Sequence, residues 1–225
     1  MKYSIINYTN IYNVGECKAM TEEILVEKIK FIEVEEQRLG RNKSTLVNHT
    51  YISQGSYKRK FDQISNNKDL SRLLFQLSKK MLKHRSGTKF EDMYWIDLNT
   101  LTVVAQESDS LNEVRVDYSQ DTIKVIQRYD GLLTIHSHPN SFPPSIDDFN
   151  SNFLHNYGIG IIVCHDGKVF MYSANEEVSG NYYKLVVEGF LKQGYNEYEA
   201  QIHAIEELKR NFDIQFKEVL DYGSM

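Results

Sequence analysis

The feature that most constrains this chain is a short apolar run that ends in two histidines and enters a stiff loop. Gly131 to His136 reads Gly-Leu-Leu-Thr-Ile-His, the pattern of a short buried strand, and Ser137 and His138 continue it. Residues two apart on a strand point to the same face. His136 and His138 therefore direct two imidazoles toward one point. All three prolines of the chain, Pro139, Pro143 and Pro144, fall in the loop that follows. Proline fixes φ and removes conformational freedom from such a loop. Ser145 then stands at the N-cap of a helix predicted over Ile146 to Asn156, and Asp148 falls in its first turn, facing back toward the histidines.

Two imidazoles, one carboxylate and one open position make a site suited to zinc. Zinc lowers the pKa of a bound water from about 15.7 to roughly 7. Hydrolysis at such a site also needs a carboxylate to take and return a proton and a donor for the oxyanion that forms.

The order His-x-His-Pro followed by Ser-x-x-Asp resembles the signature of the JAB/MPN metalloprotease family, also called JAMM. The resemblance covers roughly residues 91–173. It implies a zinc ion held by His136, His138 and Asp148, with Ser145 as the oxyanion donor. It also implies an upstream glutamate acting as general base and acid. Glu91 stands where the family places that residue, directly before the strand predicted from Met93; Glu107 and Glu113 are the alternatives and lie beyond the first hairpin. The activity implied is cleavage of peptide or isopeptide bonds through a metal-activated water, often at the tails of ubiquitin-like proteins. Nine residues separate His138 from Asp148, one fewer than the family's usual gap. The Ser-x-x-Asp spacing is intact, so the deletion falls to the proline loop. Asp147 would shorten the gap further and lose that spacing.

Around this segment the chain reads as mixed α/β: a JAB/MPN-like mixed sheet flanked by helices, with helical N- and C-terminal extensions. Residues 1–85 form the N-terminal extension, 86–175 the core and 176–225 a helical tail packed on it. Helices are predicted over Thr21 to Leu39, ended by Gly40, and over Lys68 to His84. In the second, Leu70, Leu73, Leu74, Leu77 and Met81 form one apolar stripe opposite Arg72, Lys79, Lys80 and Lys83. Asn48 to Phe61, with Lys58, Arg59 and Lys60, reads as a strand or a basic binding loop. Strands are predicted over Met93 to Leu98, Leu101 to Gln106, Val114 to Val116, Gly158 to Cys164 and Lys168 to Ser173. Further helices are predicted over Asp121 to Tyr129, Tyr182 to Leu191 and Glu197 to Phe212.

Hydrophobic residues make up 41% and charged residues 25% of the 225, as in an ordinary globular protein. The net charge of −5 argues against binding nucleic acid through a broad basic surface. The basic face of Lys68 to Lys83 is the one feature favouring a DNA-associated role. No apolar run is long enough to span a bilayer or to form a signal-peptide core, so a cytoplasmic protein is expected. The sequons at Asn7, Asn42 and Asn48 then carry no meaning. Two cysteines, Cys17 and Cys164, cannot build a four-cysteine zinc site. Cys164 reads as a small buried hydrophobe, and His155 and His165 as structural or solvated. The expected partner is a protein or peptide substrate; a non-catalytic interaction module of the same fold is the competing reading.

Overall fold

The computed structural model describes residues 45–110, 112, 113 and 115–221. The expected helix over Thr21 to Leu39 lies outside them. The architecture is mixed α/β, a six-stranded mixed sheet flanked by helices. In chain order the elements are α1 (Gly55–Asp62), α2 (Lys68–Arg85), β1 (Met93–Asp97), β2 (Thr102–Glu107), α3 (Gln120–Ile126), β3 (Leu133–His138), α4 (Ile146–Leu154), β4 (Ile159–Cys164), β5 (Val169–Ala174), α5 (Gly180–Lys192), α6 (Glu197–Asn211) and β6 (Ile214–Glu218). The strands lie in the order β2-β1-β3-β4-β5-β6. β3 and β4 are parallel, and every other neighbouring pair is antiparallel.

Strand alternation divides the core in two. Tyr94, Ile96, Leu133, Ile135, Ile161 and Val163 face α1 and α2 and join Tyr57, Phe61, Leu74 and Met81 in one cluster. The opposite face carries Ile162, Phe170, Tyr172 and Phe216, packed against Phe149 of α4 and Ile205 and Leu208 of α6. Met93 sits opposite His136 in the β1–β3 ladder, and His136 opposite Ile162 in the β3–β4 ladder. Both histidines therefore belong to the α4/α6 face, at the end of a strand buried along its whole length.

Three expectations need correction. Asn48 to Phe61 is neither a strand nor an open basic loop: it is a short 3-10 turn, Tyr51–Ser53, followed by α1. Tyr57 and Phe61 are four apart, the spacing that puts both on one helical face, and both are fully buried. Arg59 pairs with Asp221 at 2.9 Å, and Lys60 Nζ donates to the Gly167 carbonyl at 2.8 Å. The C-terminal segment is also not wholly helical. β6 closes the sheet against β5, with Ile214 and Phe216 inward and Gln215 and Lys217 outward. Arg115 and Val116 are in no strand. The other predicted helices and strands form, with ends shifted by a few residues. On α2, Lys79 lies over the Phe75 ring and Lys80 over the Tyr94 ring, so part of its basic face is spent within the chain. Among the described residues, no helix is long and apolar enough to cross a membrane.

Gly160 on β4 has a specific steric role. A Cβ built there would lie 2.1 Å from Cζ of Tyr172. The bare glycine lets that buried ring cross β4 and stand edge-on to His136, 6.3 Å between ring centres. Gly160→Ala is expected to destabilise the fold by about 1–3 kcal/mol, the usual cost of overpacking. Urea unfolding checks this; an unchanged midpoint would contradict the assigned packing.

Candidate metal centre

The centre is built from one strand end, one helix start and Glu91, two residues ahead of β1. His136 and His138 are buried, and their Nε2 atoms lie 3.1 Å apart. Asp148 Oδ1 is 3.2 Å from His136 Nε2, and its Oδ2 is 3.6 Å from His138 Nε2. Zinc–ligand bonds of about 2.0–2.1 Å put tetrahedral ligand atoms roughly 3.3 Å apart; the imidazole pair at 3.1 Å and Oδ1 with His136 at 3.2 Å are close to that value, while the contact to His138 is made by the other carboxylate oxygen. His138 Nδ1 faces the Phe142 carbonyl at 3.2 Å. Donating there places the proton on Nδ1 and leaves the Nε2 lone pair free for a cation. His136 Nδ1 is buried without a partner among the described residues. Glu91, 5% exposed, completes the cluster: Glu91, His136 and His138 each offer a ligand atom, all within 4.8 Å of one another. These three residues could hold a metal ion.

The loop chemistry explains why Asp148 arrives there. Ser145 is the N-cap of α4, and with Asp148 it forms a capping box. The Ser145 N–H and hydroxyl both donate to Asp148 Oδ2 at 2.7 Å, and Asp148 N–H donates back to Ser145 Oγ. Oδ1 is left to face His136. α4 is in turn held by two buried asparagines. Asn150 bonds both the N–H and the carbonyl of Val178, and Asn152 Oδ1 accepts from Ala174 N–H. These contacts fix the rotation of the helix that carries Asp148.

Glu91 is held from below. Its neighbour Asp92 accepts from Arg85 Nε at 2.5 Å and lies 2.8 Å from His84 Nδ1. The Arg85 guanidinium also donates to the Ser108 carbonyl. Asp92 N–H donates to Ser137 Oγ, and Ser137 N–H donates to the Asp92 carbonyl, each at 3.0 Å. The strand residue between the two histidines therefore grips the residue beside Glu91. The sequence reading missed Arg85, Asp92, Asn150 and Asn152; the adjacent acids Glu91-Asp92 and the Asn-x-Asn pair on α4 were the available signals.

The alternatives to these residues stand outside the ligand cluster. Glu107 accepts from Ser119 N–H, and Glu113 pairs with Lys89 at the surface. Asp147 is exposed. The buried His165 ring places Nδ1 2.6 Å from the Thr45 carbonyl, and the His165 backbone N–H donates to the His138 carbonyl. His155 stacks on Tyr157. Cys164 is fully buried, which pushes its thiol well above the usual range.

Burial and charge set the protonation of the centre. Burial pushes the Glu91 carboxyl well above the ordinary range, the Asp148 charge adds to the rise, and Arg85 opposes it. Burial lowers His138 to about 4, against the pull of Asp148. Burial would raise Asp148, but the charge and hydrogen bond of His136, the charge of His138 and the Ser145 hydroxyl together hold it below 3.8. The centre lies in a cleft of about 460 Å³, bounded on one side by Tyr118, Leu154 and Tyr157 and on the other by Phe142, Glu197 and Gln201.

No protein-family model, curated protein or solved structure matches the chain.

The raised Glu91 carboxyl makes a signed prediction for the metal-free protein. Below its ordinary value of 4.5, folded and unfolded chains are both protonated there and the residue imposes no penalty. Above it, the unfolded chain loses the proton first and the folded state is penalised increasingly. Glu91→Gln removes that penalty. In chelator-treated protein its Tm is expected to exceed that of the unsubstituted chain by a margin that grows from about pH 5 to pH 8. A margin that shrinks over that range would show that the residue is already ionised in the fold.

Proposed function

We propose that this chain is a zinc-dependent hydrolase of the JAB/MPN type that cleaves peptide or isopeptide bonds. The observation that carries the reading is the convergence of His136, His138 and Asp148 at ligand spacing, with buried Glu91 in the same cluster and an open cleft above. Two imidazoles and a carboxylate favour zinc over magnesium or calcium, which take mainly oxygen ligands. A divalent ion held there supplies Lewis acidity and brings the pKa of a water into the neutral range.

The rest of the chemistry falls to the chain's own groups. Glu91 is the proton carrier: burial raises its carboxyl above the ordinary carboxylate range, and a carboxyl so raised holds and returns a proton more readily than a free one. The Arg85–Asp92–Ser137 contacts hold it beside the histidines. Ser145 keeps Asp148 aimed at His136. To donate to a developing oxyanion, its hydroxyl must leave Asp148 Oδ2, which retains the bond from Ser145 N–H. Phe142 keeps His138 in the tautomer that offers Nε2 to a metal.

The full chain is expected to bind about one zinc per molecule and to lose it on His136→Ala. Glu91→Gln should retain zinc and lose roughly 10²–10⁴-fold in turnover, the usual contribution of general acid–base catalysis. Elemental analysis and turnover of peptide and isopeptide substrates check both. Tight zinc binding with no turnover of either substrate type would favour a non-catalytic interaction module; absence of zinc binding would overturn the metal centre itself.

A further inference from the structure

The two ends of the cleft differ in chemistry. On the β1 side, Met93 lies directly beside His136 in the ladder. From it a wall of rings leads away. The Tyr118 hydroxyl is 3.6 Å from Met93 Sδ and 3.2 Å from Ser151 Oγ. Its ring stands edge-on to Trp95, with centres 4.9 Å apart, and near His155 at 5.7 Å. His155 is in turn stacked on Tyr157 at 5.3 Å. Leu154 completes this end of the cleft and remains 56% exposed.

Three properties follow from these contacts. The rings are fixed by one another and by the buried Trp95, so the surface is preformed. The tyrosine hydroxyl nearest the centre is occupied within the chain. Burial lowers the His155 pKa, which leaves the imidazole neutral. The cation at this end, Arg115, is already paired with Asp117 at 3.0 Å. The opposite end, where α6 borders the cleft, offers Glu197 and Gln201 beside Phe142. A substrate lying across the centre thus meets a ring-lined apolar wall, flanked by the Arg115–Asp117 pair and Asp147, on one side, and Phe142 with the polar Gln201 and anionic Glu197 on the other. Preformed apolar pockets with a few placed polar groups are the usual form of a recognition site.

We propose that Tyr118, Leu154, His155 and Tyr157 form a subsite for a large aromatic or aliphatic side chain next to the bond that is cut. The substrate class is then a peptide or protein segment carrying such a residue at the scissile bond. The proposal rests on the hydrolase reading above. A glycine at that position would leave the wall facing water. Even one methylene in an apolar pocket is worth about 10–200-fold in discrimination.

The test uses the zinc-loaded full chain and three probes: phenylalanine, leucine and glycine hydroxamates, whose hydroxamate group ligates zinc while the side chain samples the wall. Titration calorimetry should give Kd values at least about tenfold lower for the phenylalanine and leucine probes than for glycine. Leu154→Lys, a change at an exposed position, should reduce that ratio to below about threefold, with Leu154→Ala intermediate. Peptide mixtures cut by the unsubstituted protein should be enriched in Phe, Tyr, Leu or Met at one position flanking the cut. Equal affinity for the three hydroxamates, or a ratio untouched by Leu154→Lys, overturns the subsite and leaves the metal centre standing. Zinc-loaded protein that binds none of the three overturns the hydrolase reading, and the subsite with it.

Discussion

An ion pair buried beneath the cleft, Arg85 with Asp92, is the contact on which the rest of the centre depends. The two side chains are 9% and 1% exposed. Removing one partner of such a pair leaves an uncompensated charge and typically costs about 3–5 kcal/mol. Here the pair does more than hold itself together. Arg85 ends the helix that covers one sheet face, and Asp92 leads into β1. Through its backbone, Asp92 grips Ser137 between the two histidines. The end of α2, Glu91 and the histidine-bearing strand β3 are thereby locked in one arrangement. The same guanidinium lies close enough to oppose the rise in the Glu91 pKa.

The centre was largely legible in the sequence because its parts are local. His136 and His138 share a strand end, and the period of a strand alone puts them on one face. Ser145 and Asp148 share a helix start, and capping chemistry alone turns the carboxylate back. Glu91 needed more: it is about 45 residues from the histidines in the chain, and only the β1–β3 pairing brings it near. Strand context was enough to choose it over Glu107 and Glu113, whose side chains are engaged elsewhere.

What the sequence did not yield is non-local. β6 shows clean alternation, Ile214 and Phe216 in with Gln215 and Lys217 out, but a five-residue pattern directly after a long helix is easily taken as its continuation. Its partner β5 lies two helices earlier. The Asn48 to Phe61 segment misled because its basic run drew attention away from the four-residue spacing of Tyr57 and Phe61. The aromatic wall was invisible for a related reason. Tyr118 comes from the connection between β2 and α3, whereas Leu154 ends α4 and His155 and Tyr157 follow it; they meet where Tyr118 reaches Ser151 and His155. The Arg85–Asp92 pair spans seven residues but is recognisable only once both groups are known to be buried.

The position of β6 has a further consequence for how the chain reaches this state. β5 must wait for two helices to be laid down before its outer edge is paired. Until then the outer edge of β5, which carries Phe170 and Tyr172, is open to the wrong partner, the circumstance in which strands add to strands of another molecule. Arg59 and Asp221, which are 162 residues apart in the chain, meet only when that last strand is seated. The completed sheet is thus a product of long-range closure, slow by its topology. The candidate metal centre, built from the end of β3, the start of α4 and Glu91 ahead of β1, lies away from the edge that forms late.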